Sequence, residues 1–325
     1  MPTSRLLRSL FVSLCLFSVN PGCSQQTGEP RDAAAGADTP VSGRSASSTG
    51  ALESSESPTT DPHAAYYASV DVSNPTALRA SLHALIDDHR RASYSQCWQI
   101  LKKADEDPLS PSHILDLYGN NSYVKVAGGN GPYNREHTWP KSYGFPNDNA
   151  RNYPYTDCHH LFLCNNGYNS SRGNKPFDSC ATSCSEKPTV ANGGQGGPGT
   201  GYPGNSNWTT GSGNSGRFEV WIGRRGDVAR AMFYMDVRYE GGVHGNTAAA
   251  EPDLVLTDNM PAIRTGSGNV AHMGRLSTLL EWHNQDPVDD KERARNDAVF
   301  EFQGNRNPFI DHPEWVDCVF KEECD

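Results

Sequence analysis

Two blocks carry most of the residues that could do chemistry: NREHTWPKSYGF, from Asn134 to Phe145, and TDCHHLFLCNNGYNSSRGNKPF, from Thr156 to Phe177. His137 can take a proton from water. Glu136 and Asn169 offer hard oxygen ligands of the kind that hold a magnesium ion while it keeps most of its waters. Arg151 or Arg172 can clamp a phosphate with a forked pair of hydrogen bonds, with a capping or ion-pair role as the alternative for Arg172. A base, a cation for the charge that develops on phosphorus and on the departing oxygen, and donors that hold the phosphate are what hydrolysis of a phosphodiester requires. Arg135 and Lys141, beside the pair, are read as polymer contacts.

Two features argue against an easy reading. A Glu-His pair taken alone is commonly a surface accident, so the surrounding block has to carry the case. The formal net charge of −10 also disfavours an anionic polymer as partner, because phosphate binding runs on Lys and Arg displacing counterions. The balance is different locally: between Tyr133 and Phe177 the cations Arg135, Lys141, Arg151, Arg172 and Lys175 outnumber Glu136, Asp148 and Asp157.

These residues need elements to position them. Leu78, Leu82, Leu85 and Ile86 recur at helical spacing and predict a helix over 75–91, capped at Ser73 or Asn74. A second helix is expected over 96–104 and a short strand within 114–126. The stretch 192–216, mostly Gly, Asn, Ser and Pro, reads as a long loop. Alternation at Phe218, Val220 and Ile222 predicts a strand. Val228, Met232, Met235 and Tyr239 share one face of a helix over 226–239 and are read as core. Further helices are expected over 273–283 and after Asp286, with Asp286 as cap and Pro287 in the first turn. No phosphate-binding glycine loop and no nucleophile elbow occurs.

At this point the chain resembles the bacterial endonuclease I family, periplasmic and secreted nucleases of the His-Me finger (ββα-metal) superfamily. The resemblance rests on the REH block, the D-x-x-H-L stretch with N-x-x-R-x-N after it, the helix GDVARAMFYMDVRY, and RNDAVFEFQGNRNPFIDHPEW near the C-terminus. It implies that His137 acts as general base and that Glu136 and Asn169 hold the metal. The family commonly has Leu where Cys158 stands and a proline after the D-x-x-H-L stretch, where this chain continues to Leu163 and Cys164.

The fold expected is therefore α+β: a helix-dominated single domain around a ββα-metal core over about 134–174, with a few short strands. Residues 1–22 read as an export signal, with Arg5 and Arg8 ahead of a short apolar run. Residues 23–62 are a tether rich in Ser, Thr, Ala and Gly, too poor in large apolar groups to order itself, and 63–325 form the nuclease domain. Gly22 before Cys23 resembles a lipoprotein cleavage box, although Asn20 stands where Leu is usual. Lipidation of Cys23 and simple secretion remain alternatives, as does a periplasmic location.

In an exported protein cysteines default to disulfides. The close pairs are Cys158/Cys164, Cys180/Cys184 and Cys318/Cys324, with Cys97 left as a buried thiol. The same context disfavours a thiolate zinc, so His160 is read as packing behind the site and His159 as structural. Asp311, His312 and Glu314 are read as docking the C-terminus.

The function expected is a metal-dependent, sequence-nonspecific endonuclease, a monomer using Mg2+ (Mn2+ or Ca2+ as alternatives) on DNA and RNA to leave 5′-phosphates. The rivals are an extracellular ribonuclease and a catalytically silent lipoprotein that binds nucleic acid or a partner.

Overall fold

A computed structural model describes residues 61–324 apart from 129–130, 181–182, 200, 267 and 269. The expected export signal, Cys23 and all but the last two residues of the expected tether lie outside the described residues. The architecture is α+β with small, separate sheets.

Helix α1 (Pro75–Ile86) opens as its sequence suggests: the Asn74 side chain accepts from the Ala77 amide at 2.9 Å, and Pro75 occupies the first turn. It stops five residues short of the expected end. Helix α2 (Cys97–Ala104) matches its expected span to within one residue. Strands β1 (Glu106–Asp107), β2 (Ser110–Leu115) and β3 (Ser122–Val124) then form an antiparallel sheet in sequence order.

The central unit follows. Strand β4 (Tyr133–His137) pairs antiparallel with β5 (Leu161–Asn165), in unbroken register from Tyr133 opposite Asn165 to His137 opposite Leu161. Helix α3 (Asn166–Arg172) leaves β5 directly, started by Asn165, whose side chain accepts from the Gly167 and Tyr168 amides. Gly173 ends it at φ +58°, a conformation that a side chain would strain.

A third sheet holds β6 (Ser185–Pro188), β7 (Ser206–Thr210) and β8 (Arg217–Glu219), all antiparallel. The expected loop over 192–216 is thus interrupted by β7. Its SNWTT sequence suits a strand, but Gly and Asn on both sides hide the signal.

Helix α4 (Arg225–Arg238) differs from expectation in a different way. Val228, Met232 and Met235 are core, but so is every other residue of the helix. Helices α1 and α5 and strand β9 pack around it. Its charges are neutralised inside: Arg230 donates to Glu292 at 2.8 Å and Arg238 donates to both oxygens of Glu251 at 2.9 and 3.0 Å.

Strands β9 (Asp253–Leu256) and β10 (Val270–Met273) pair in parallel, and β10 occupies the start of the expected 273–283 helix, so α5 runs Leu276–Gln285 instead. Helix α6 (Asp290–Gln303) is capped by Asp289, which accepts from the Glu292 amide at 2.8 Å. Asp286, the expected cap, instead accepts from the Gly226 amide at 2.9 Å at the start of α4. Two short helices, α7 (Pro308–Asp311) and α8 (Trp315–Lys321), finish the chain. Asp311 docks the C-terminus as expected: it accepts from Arg306 and, at 2.6 Å, from the Tyr67 hydroxyl.

Two of the three expected disulfides are formed, Cys180–Cys184 and Cys318–Cys324. Cys158 and Cys164 are not joined. The alternation of β5 explains why: Leu161 and Leu163 face the apolar cluster that contains Cys158, whereas Phe162 and Cys164 face the opposite cluster. Cys158 shares its cluster with Cys97 instead, and both thiols point at the Thr156 carbonyl, at 3.5 Å from Cys97 and 3.7 Å from Cys158. In protein folded with a thiol oxidant, a third bridge is expected between Cys97 and Cys158, with Cys164 left to react with alkylating reagent once unfolded. Peptide mapping checks this, and a Cys158–Cys164 peptide would contradict it.

Candidate active site

Glu136 and His137 are the last two residues of β4, and both are buried, at 2% and 8% exposure. Neighbouring residues on a strand send their side chains to opposite faces, and the pair obeys that rule without a bulge. Both nevertheless line a single hollow of about 340 Å3 across the strand end, together with Asn169, Arg135, Lys141 and Tyr94. Position at a strand end is therefore what lets adjacent residues share the hollow.

On one side, Glu136 Oε1 accepts from the Tyr118 hydroxyl at 2.9 Å and from Arg172 at 3.1 Å. Burial raises the Glu136 carboxyl to about 7, with Arg172 and Tyr118 pulling it back. On the other side, His137 Nε2 lies 3.0 Å from the Tyr155 carbonyl. A carbonyl can only accept, so Nε2 carries the proton and Nδ1 keeps its lone pair. Nδ1 has no hydrogen-bond partner among the described residues. Burial, reinforced by the nearby His160, holds this imidazole well below its usual pKa, so the ring rests neutral.

The Tyr155 carbonyl is itself held in place. It belongs to the tight turn Pro154–Thr156, which His160 secures by donating from Nε2 to the Pro154 carbonyl at 2.7 Å. Asp157, next in the chain, accepts from Tyr234, Tyr239 and Gln303 at 2.8, 2.9 and 3.0 Å. The D-x-x-H-L stretch thus acts behind the hollow and fixes the group that orients His137. His160 takes the place expected of it, and His159 bonds the Asn305 carbonyl at 3.0 Å.

Asn169 lies on α3 facing β4. Its Nδ2 donates to the Arg135 carbonyl at 3.1 Å, which turns Oδ1 away as a free acceptor.

Residues 75–314, which hold this whole arrangement, match the family described as Endonuclease I. The chain belongs to the endonuclease I family. It is 44% identical over 258 residues to the "Extracellular ribonuclease" of Bacillus amyloliquefaciens, covering 78% of each chain. It is 42% identical over 282 residues to the protein of the same name from Bacillus subtilis (strain 168), covering 85% of this chain and 86% of that one. The protein is a nuclease that acts on phosphodiester bonds, with nucleic acid as its substrate.

The cations of this endonuclease I chain divide into two groups. Lys141 is exposed on the rim of the hollow, with Nζ 2.9 Å from the Tyr155 hydroxyl. Arg135 lines it too, its guanidinium 3.3 Å from the Tyr94 ring centre and 4.3 Å from that of Trp98. The other two are not where a phosphate contact was expected. Arg172 is fully buried: it donates to Glu136, to the His137 carbonyl at 2.7 Å and to the Thr138 carbonyl, with Phe177 against its face. Its donors are committed internally because the His137 carbonyl lies on the edge of β4 turned away from β5, its only strand neighbour, and Thr138 lies just beyond the strand. Arg151 is exposed but stands on a different hollow of about 550 Å3, beside Asn149 and Ala248, which shares no lining residue with that of Glu136 and His137.

Tyr118 and Tyr155 were not foreseen. Tyr118 is far from the block in sequence, and Tyr155 acts through a backbone carbonyl, which has no residue signature.

Proposed function

We propose that this endonuclease I member is a metal-dependent, sequence-nonspecific endonuclease that hydrolyses RNA and DNA by attack of a water deprotonated at His137 Nδ1. The observation that carries the reading is the His137 ring, with Nε2 committed to the Tyr155 carbonyl and Nδ1 without a partner among the described residues, in the hollow that Glu136 and Asn169 also line. A general base needs to be unprotonated, oriented and open to its substrate, and this ring meets all three demands.

The donor set suits a hard divalent cation. Glu136, shifted to about 7 by burial, is more basic than an ordinary carboxylate, and Arg172 does not offset that. A cation at Glu136 would favour its ionised form. Glu136 Oε2 and Asn169 Oδ1 accept no hydrogen bond among the described residues, so one oxygen of each would hold the ion. Mg2+ is the reading, with Mn2+ or Ca2+ as alternatives. When bound, it would supply positive charge against the oxygens of the transition state.

The chain's own residues do the rest. Arg172 and Tyr118 fix Glu136, and Tyr155 aims His137. Lys141 and Arg135 hold the polymer at the rim, and Arg151 holds it from its separate hollow. In-line attack with the 3′ oxygen departing leaves 5′-phosphates. Arg172 acts through Glu136 and the end of β4, not on phosphate directly.

No step uses a 2′-hydroxyl, so both polymers are substrates. The name shared by the two Bacillus relatives favours a second reading, a nuclease restricted to RNA. It also supports secretion of this protein, in preference to periplasmic retention or anchoring through Cys23.

Activity gels with RNA and with DNA, run with and without chelator, test the proposal. Both polymers should be cut, EDTA should abolish cutting, and added Mg2+ should restore it. Full activity in EDTA would remove the metal, and cutting of RNA alone would establish the second reading.

A further inference from the structure

We propose that the hollow beside the reaction pocket, walled by α3 and the sheet β6–β7, is a second phosphate subsite, where Lys175 and Lys187 receive the polymer backbone flanking the cleaved bond. It rests on the reading of the His137 pocket as the cleavage site.

The hollow measures about 590 Å3 and shares Gly173 and Asn174 with the reaction pocket, so one strand of polymer can pass from one to the other. Its walls are hydroxyl side chains, glycine backbone, Asn174 and the inward-committed Arg172, with Lys175 and Lys187 and no carboxylate.

The strand register accounts for the missing acid. Lys187 and Ser185 share a face of β6, and Thr209, paired with Ser185, continues that face on β7. Glu186 lies on the other face, where it accepts from Ser206 at 2.6 Å.

Three other lysines are paired with carboxylates, Lys103 with Glu301, Lys125 with Glu106 and Lys321 with Asp317, whereas Lys141, on the rim of the reaction pocket, is unpaired like the two in this hollow. Lys175 and Lys187 have no carboxylate within ion-pair reach among the described residues. Lys175 donates to the Ser171 carbonyl and to Thr209 Oγ1, both at 2.7 Å, which leaves one of its three protons unassigned.

Capping the end of α3 would explain Lys175 alone. It does not explain a second, unpaired lysine turned toward the same space. Two like charges facing each other destabilise the empty hollow, and a phosphodiester between them relieves that repulsion.

The test measures binding of a short labelled single-stranded oligodeoxynucleotide to the full protein in EDTA, so that cleavage does not interfere. Lys187→Gln is the principal variant, because the Lys187 side chain makes no hydrogen bond that the fold would lose. It should weaken binding by roughly fivefold near 0.1 M salt and flatten the log-log salt dependence by about 0.7. Lys187→Glu should weaken it further. Lys175→Gln, checked by its melting temperature, should act in the same direction. Affinity and salt slope unchanged in both Lys187 variants would overturn the proposal. Wild-type protein that binds with the expected slope but cleaves no polymer when Mg2+ is restored would refute the cleavage reading and leave the subsite standing.

Discussion

His137→Ala should lower kcat by about 10^2 to 10^4, the range that a positioned general base contributes, while the protein remains folded. The ring makes one hydrogen bond, to the Tyr155 carbonyl, and packs edge-on against Tyr155 and at a tilt beside Tyr94. Removing it costs that bond and some packing, on the order of 1–3 kcal/mol. Glu136 and Asn169, the proposed metal donors, stay in place, since neither is held by the His137 side chain. Single-turnover cleavage of RNA and a circular-dichroism melt separate the two effects. Turnover within a few fold of wild type, with the melt preserved, would take the base role away from His137.

Arg172→Ala should be the most destabilising single change at the site. The guanidinium is fully buried and bonds one carboxylate and two backbone carbonyls. Deleting it strands Glu136 without its counter-charge and leaves two buried acceptors unmatched. Losing one partner of a buried ion pair costs about 3–5 kcal/mol. Arg172→Lys should recover only part, because a single ammonium on a flexible stem cannot reproduce the planar fork that reaches the His137 and Thr138 carbonyls together. Urea titration measures the loss directly. A drop below about 1 kcal/mol would mean that the strand end is held by something other than Arg172.

The contrast between these residues shows what sequence can carry. The REH block and the asparagine helix were legible because their chemistry is local: three consecutive residues, then an N-x-x-R spacing that places Asn169 and Arg172 one turn apart on α3. For the arginine the sequence left an ion-pair role and a phosphate contact as alternatives, and could not show that it would turn inward to the strand. Its destination depends on two carbonyls, one on the unpaired edge of β4 and one just beyond the strand, and a carbonyl is present at every residue. The same holds for Tyr155. Helices were found through their apolar spacing, whereas their ends moved by several residues, as with α1 stopping at Ile86 and α6 taking Asp289 rather than Asp286 as its cap. Two acidic residues three apart, both near a plausible first turn, are separable only by what packs against them. For the cysteines, proximity along the chain misled, because the two faces of β5 divide Cys158 from Cys164.

The docking of the segment 63–67 against residues 306–311 has a consequence for timing. Tyr67 meets Asp311, the Tyr66 hydroxyl accepts from the Arg306 amide at 3.1 Å, and His63 lies 3.0 Å from the Arg306 guanidinium, contacts that span 244, 240 and 243 residues. A ribosome makes the first of these partners long before the second. Throughout synthesis the segment 63–67 has nothing to seat against, and the last contacts of the folded body form only after the final helices have emerged.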